Sequence, residues 1–133
     1  MADLEVALVA ADREVWSGQA SIVVAKTVDG DIGIKAGHQP VMSVLQTSVA
    51  TIRTVDEAGL PGESLTVALH GGFISVDSDR VSLLGEAVEL SDEIDVARAE
   101  DALARARAGE FGADSEAAEQ RALVRLRAAG RAQ

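Results

Sequence analysis

Cysteine is absent from the 133 residues. That excludes a disulfide framework, a thiolate metal site and a cysteine nucleophile, and it is consistent with a cytoplasmic chain. Lysine is nearly absent too: Lys26 and Lys35 are the whole complement, and neither is clustered with the arginines. With 22 acidic against 12 basic residues and a net charge of −10, the chain lacks the cation density that neutralises duplex phosphates. Nucleic acid is therefore not expected as a partner. No apolar run approaches the roughly 18 residues a transmembrane helix needs. The start, Met1-Ala2-Asp3-Leu4-Glu5, is acidic and has none of the basic residues that open a secretory signal. Membrane association is expected only through a protein partner.

Catalytic signatures are missing as well. The two histidines, His38 and His70, stand far apart without metal-ligand spacing, and read as a loop hydrogen-bond partner and a strand-end residue. Gly71-Gly72 lacks the later Gly-Lys-Ser/Thr of a phosphate loop and enters a strand instead of a helix. No nucleophile sits in a recognisable elbow. No catalytic and no metal-binding residue is assigned. A small hydrolase using His38 or His70 is the reading this disfavours; it requires turnover by the isolated chain.

What is present is a change of period. Up to Val88 apolar residues alternate, as in Leu4, Val6 and Leu8, or in Leu65, Val67 and Leu69, between turns rich in Gly, Asp and Pro. Trp16 is expected to lay its ring over one end of the core, and Ser21 to Lys26 to form a strand covered on both faces. Val49 to Val55 and Ser64 to His70 read as a hairpin with a long tip, and Gly71-Gly72 as a bend or bulge before Phe73. From Glu89 onward nearly every residue is Ala, Glu, Arg, Leu or Asp. The fold class is α+β, divided into a β-sandwich over 1–88 and a helical hairpin over 89–133. Ser91 is the expected cap of the first helix, with Asp92 and Glu93 in its first turn. Narrow alanine seams, Ala99, Ala102, Leu103 and Ala106 on one helix and Ala118, Ala122, Leu126 and Ala129 on the other, let the helices pack closely. They bury little area, so the hairpin is a candidate mobile element.

The arginines are concentrated in that hairpin. Arg98 and Arg105 are seven apart on the first helix, and Arg121 and Arg125 four apart on the second, where like charges repel. One reading is a solvated face with scattered ion pairs to Glu100, Asp101 and Glu119. The other is a fork of guanidiniums on phosphate, which Arg grips with paired donors.

Several short pieces in order resemble the epsilon subunit of bacterial F-type ATP synthases, end to end. They are Trp16-Ser17-Gly18, Asp29-Gly30-Asp31-Ile32-Gly33-Ile34 followed by His38-Gln39-Pro40, and Gly71-Gly72-Phe73 followed by Val76 and Val81. The resemblance implies a sandwich of about ten strands, a two-helix C-terminal hairpin, and a non-catalytic place in the central stalk. Its implied partners are the gamma subunit and the c-subunit ring, with Asp31 and His38 as contact residues, on the cytoplasmic face of the cell membrane. It also implies that the hairpin either folds against the sandwich or extends into the alpha/beta catalytic head and restrains hydrolysis. Some members bind ATP as a regulatory ligand through an Ile/Leu-Asp-x-x-Arg-Ala motif, which Ile94-Asp95-Val96-Ala97-Arg98-Ala99 matches. By the same resemblance Glu89, Arg105, Arg121 and Arg125 join Ile94, Asp95, Arg98 and Ala99 as nucleotide-binding positions. No cofactor is required. The sequence departs from the pattern at Thr47-Ser48, where many members have glycine. A freestanding nucleotide sensor without a rotary partner is the alternative reading.

Overall fold

The computed structural model describes residues 3–130; Met1 and Ala2 of the acidic start and residues 131–133 lie outside the described residues. Nine strands are followed by two helices. They are β1 (Leu4–Ala10), β2 (Arg13–Thr27), β3 (Gly30–Ile34), β4 (Val41–Leu45), β5 (Ser48–Val55), β6 (Pro61–Leu69), β7 (Gly72–Asp77), β8 (Arg80–Gly85) and β9 (Val88–Leu90), then α1 (Val96–Arg107) and α2 (Ser115–Ala128). The count is nine where the resemblance implied about ten. The Trp16 stretch and the Ser21–Lys26 stretch, read separately from the sequence, are one continuous strand of 15 residues. Ser21, Val24 and Lys26 are exposed on it, so the second stretch is not covered on both faces as expected.

β2 ties the two layers together. Its first half pairs antiparallel with β1, and its second half pairs with β3 on one side and β5 on the other. β1 also pairs parallel with β8, which leads on to β7 and β4. The other layer runs β3, β2, β5, β6, β9. Alternation sends Leu4, Leu8, Val23, Ile34, Ile52, Val67, Leu69, Ile74 and Leu83 into the space between layers, all fully buried. Trp16 packs half-buried against this core. Its ring lies so close to Gly18 that a Cβ there would sit 2.7 Å from Cζ2.

The helices form a third layer. α1 meets α2 through Ala99, Leu103, Ala122 and Leu126, with Ala102 partly buried beside them; Ala129, expected in this seam, packs instead with the stripe that faces the sandwich. α2 also buries a second stripe that the alanine pattern concealed: Val124 and Ala128 pack on Ala68 of β6 and on Ile94, with Val49 of β5 beside them. The hairpin is thus folded down on the sandwich, and α2 is the helix that touches it. Gly130, with φ +81°, follows the last turn of α2, as a C-terminal glycine does.

One expectation is corrected here. Ser91 does not cap α1. Ser91–Glu93 is a short 3-10 turn, closed by Glu93 Oε1 accepting from the Leu90 N–H at 3.1 Å. Ile94 is then extended, because its side chain is buried between sandwich and α2. The helix can begin only beyond it, and Asp95 takes the cap, its carboxylate accepting from the Arg98 N–H at 3.1 Å.

Candidate functional site

The outer face of the sandwich under α2 is built by strand alternation. Val67 and Leu69 point into the core, so Ala68 and the next outward residue, His70, point at the helix. Glu89 of β9 is the cross-strand partner of Ala68 and shares that face. On α2, Arg125 follows the docking residue Val124. These placements bring three polar side chains together. Arg125 Nε donates to Glu89 Oε1 at 2.6 Å, and His70 Nε2 donates to the same oxygen at 2.9 Å.

The electrostatics follow from that convergence. Burial pulls the Glu89 carboxyl upward, but hydrogen bonds from Arg125 and His70 outweigh it and hold the group below its ordinary value. Burial holds the His70 imidazole below its ordinary value; the Glu89 hydrogen bond opposes this, and the nearby Arg125 and Arg121 charges reinforce it. Glu89 is thus the carboxylate joining hairpin to sandwich. As the guanidinium is only partly buried, the pair contributes toward the lower end of the roughly 1.5–3 kcal/mol of a hydrogen bond to a charged group.

Beside this ion pair is an open cleft of about 290 Å³ lined by Glu89, Glu93, Asp95, Arg98, Ala99, Ala102 and Arg125. It therefore gathers Glu89, Asp95, Arg98, Ala99 and Arg125 from the residues the sequence singled out. Three positions of the Ile-Asp-x-x-Arg-Ala motif have structural work of their own: Ile94 fills the seam to the sandwich, Asp95 caps α1, and Ala99 packs on α2. Arg98 is the exception. It is exposed at the cleft and makes no ion pair among the described residues.

Two arginines lie elsewhere. Arg105 is at the turn end of α1, paired with Glu110 at 3.6 Å and over the Phe111 ring at 5.0 Å. Arg121 lines a wider cleft on the other side of the ion pair, with His70, Glu86 and Glu116. Of the proposed partner contacts, Asp31 is exposed on β3 opposite Lys26. His38 lies in the loop after β3, its Nδ1 donating to the Gln39 carbonyl at 2.7 Å.

Residues 3–91, the whole sandwich and the first residue of the turn after it, match the ATP synthase delta/epsilon chain β-sandwich domain. The chain belongs to the ATP synthase delta/epsilon family. Similarity extends beyond that domain. An ATP synthase epsilon chain of Streptomyces coelicolor is 55% identical over 129 residues, covering 96% of each chain. Those of Thermobifida fusca and Corynebacterium diphtheriae are 47% and 40% identical over 95% and 98% of this chain. A chain of the Euglena gracilis mitochondrial ATP synthase has the same fold with a TM-score of 0.71, covering 95% of this chain and 76% of that one at 23% identity. An epsilon-type chain is a non-catalytic subunit of its complex.

Within this epsilon-type chain the residue the sequence reading undervalued is His70. Reading it as a strand-end residue was right, since it follows β6 directly. Its partner Glu89 is 19 residues away, a pairing set by β6–β9 register that no local pattern shows.

Proposed function

We propose that this chain is a rotor subunit in the central stalk of the proton-translocating ATP synthase, held at the cytoplasmic face of the bacterial membrane through its partners. It couples rotation of the c-subunit ring to ATP synthesis in the catalytic head, docking on gamma and on the ring, with Asp31 and His38 among its contacts. Among the described residues no helix is long and apolar enough to cross a membrane. An in-register exposed apolar row, Val44–Phe73–Leu84 across β4, β7 and β8 with Met42 nearby, supports a protein surface as the covering partner. Co-purification with gamma from native membranes separates this reading from a freestanding nucleotide sensor.

The hairpin is the regulatory element of this proposal. Its docking face is small: Val124, Ala128, Ala68 and Ile94 with Val49 and Ala129 partly buried beside them, plus the Glu89–Arg125 pair. Full burial of a valine or isoleucine stabilises by about 1.5–3 kcal/mol and alanines by less, so docked and extended states are close in free energy. ATP bound in the cleft between α1, α2 and β9 bridges all three and favours the docked state, by a population shift. Without it the hairpin extends into the alpha/beta head and restrains hydrolysis. The cleft is at the small end of ligand sites, so it takes one part of the nucleotide. Arg105 and Arg121, outside the cleft, reach the remainder only by side-chain movement.

The observation that carries the nucleotide reading is Arg98, a guanidinium at the cleft without an ion partner among the described residues, beside an arginine already held by Glu89. Arg98→Ala is expected to weaken ATP binding by about tenfold or more, the loss of one charge-assisted hydrogen bond. The melting temperature without nucleotide should hold, since no internal ion pair is removed. Calorimetric titration showing unchanged affinity would sink the assignment.

A further inference from the structure

His70 is the most buried polar side chain facing the hairpin, only 6% exposed, and its second ring nitrogen has no partner among the described residues. With Nε2–H given to Glu89, the neutral ring leaves Nδ1 as a bare acceptor, a modest cost. Protonation turns Nδ1 into a charged, buried donor without an acceptor, which costs far more. Strand alternation points this ring at α2, so docking of α2 is what buries it. We infer that His70 is a proton-sensing latch for the hairpin: neutral, it positions Glu89 for Arg125 and holds α2 on the sandwich; protonated, it releases α2. This rests on the mobile hairpin of the proposed function and adds a second input to it.

The surrounding charges agree with that direction. Glu89, from β9, favours a proton on His70, yet its accepting oxygen is shared with Arg125. From α2, Arg125 and Arg121 oppose one. Glu86, before β9, and Glu116, on α2, line the neighbouring cleft without bonding the ring. Burial settles the balance, and the docked imidazole lies below its ordinary 6.5. Undocked, the ring returns to water and titrates near that ordinary value. The docked state therefore binds fewer protons. Docking is at full strength above about pH 6.5 and weakens as pH falls toward the lowered value. Acidification of the compartment facing the stalk thus acts on the hairpin independently of nucleotide.

The test uses the full chain, whose lack of cysteine gives a clean background for two labels, at Ala58→Cys on the β5–β6 loop and Ala104→Cys on α1. Distances between spin labels are measured without nucleotide from pH 7.5 to 5.5. The undocked-to-docked ratio is expected to rise up to about eightfold between pH 7 and 5.5, the most that one imidazole of ordinary value near 6.5 supplies. His70→Gln keeps a donor for Glu89 and cannot titrate, so it should stay docked with a flat profile. A Val124→Asp chain reports whether undocking is visible at all. An unchanged pH response in His70→Gln overturns the latch. So does a pH-insensitive parent beside a released Val124→Asp. A hairpin that stays docked even in Val124→Asp overturns the mobile hairpin together with the latch.

Discussion

Gly72→Ala is expected to lower the melting temperature by more than ten degrees or abolish soluble expression. Gly72 opens β7 with φ +137°, a backbone conformation closed to residues with a side chain. A Cβ there would sit 1.8 Å from the Leu84 carbonyl oxygen and 2.9 Å from the Gly85 Cα, both backbone atoms of the paired strand β8. Relief requires parting β7 from β8 in the centre of one layer. Backbone strain and lost strand pairing together should cost about 3–5 kcal/mol, a large share of the roughly 5–15 kcal/mol that holds a domain. For a chain of this size that amounts to about 10–20 °C. Gly33→Ala is the control: its φ is ordinary, a Cβ meets nothing within 4 Å, and stability should change by less than about 0.5 kcal/mol. Thermal unfolding followed by circular dichroism compares the two. Equal effects would mean that close approach to Leu84 is not what requires glycine.

Val124→Asp is expected to free the hairpin and leave the sandwich folded. Val124 is 1% exposed between α2 and the outer face of β6. An ionised carboxylate there faces a desolvation penalty of several kcal/mol, and the substitution also removes Val124's own share of the small docking cluster. Undocking returns the charge to water at the cost of that cluster and the Glu89–Arg125 pair. The sandwich core contains no residue of α2, and the α1–α2 seam runs through Ala122 and Leu126, on the other stripe. Hydrogen exchange should therefore accelerate in α2 while the amides of β2, β5 and β7 keep their protection. Loss of protection throughout would contradict the separation of the two clusters.

The contrast between those variants reflects what a linear sequence carries. Alternation at Leu4–Leu8 and Leu65–Leu69 gave the strands and their inward faces, because period two is a local property. The α1–α2 seam was legible for the same reason at period 3.6. The parallel pairing of β1 with β8 leaves no local trace, and the continuity of β2 was hidden because no apolar alternation runs through Ser17, Gly18 and Gln19. Ile94 looked like the first apolar residue of a helix, but a tertiary pocket holds it extended and moves the cap to Asp95. α2 looked one-sided; Val124 and Ala128 form its second buried stripe because it is the middle layer between α1 and the sandwich. Helical spacing placed Arg98, Arg105, Arg121 and Arg125 on their helices, yet only the fold decides which faces meet β9. It gathers Arg98 and Arg125 and leaves Arg105 with Glu110 and Phe111. Resemblance to a family supplied the motif, and packing then showed that three of its four positions already have a structural role.

The central claim is that nucleotide binds where α1, α2 and β9 meet and holds the hairpin down. Amide NMR of the isolated chain, titrated with ATP with and without magnesium, tests it most directly. The account predicts saturable shifts from Glu89 to Ala99 and around Arg125, with slower exchange in α2 as ATP is added. An unchanged spectrum at millimolar ATP would contradict it, leaving the stalk subunit without a nucleotide-held hairpin.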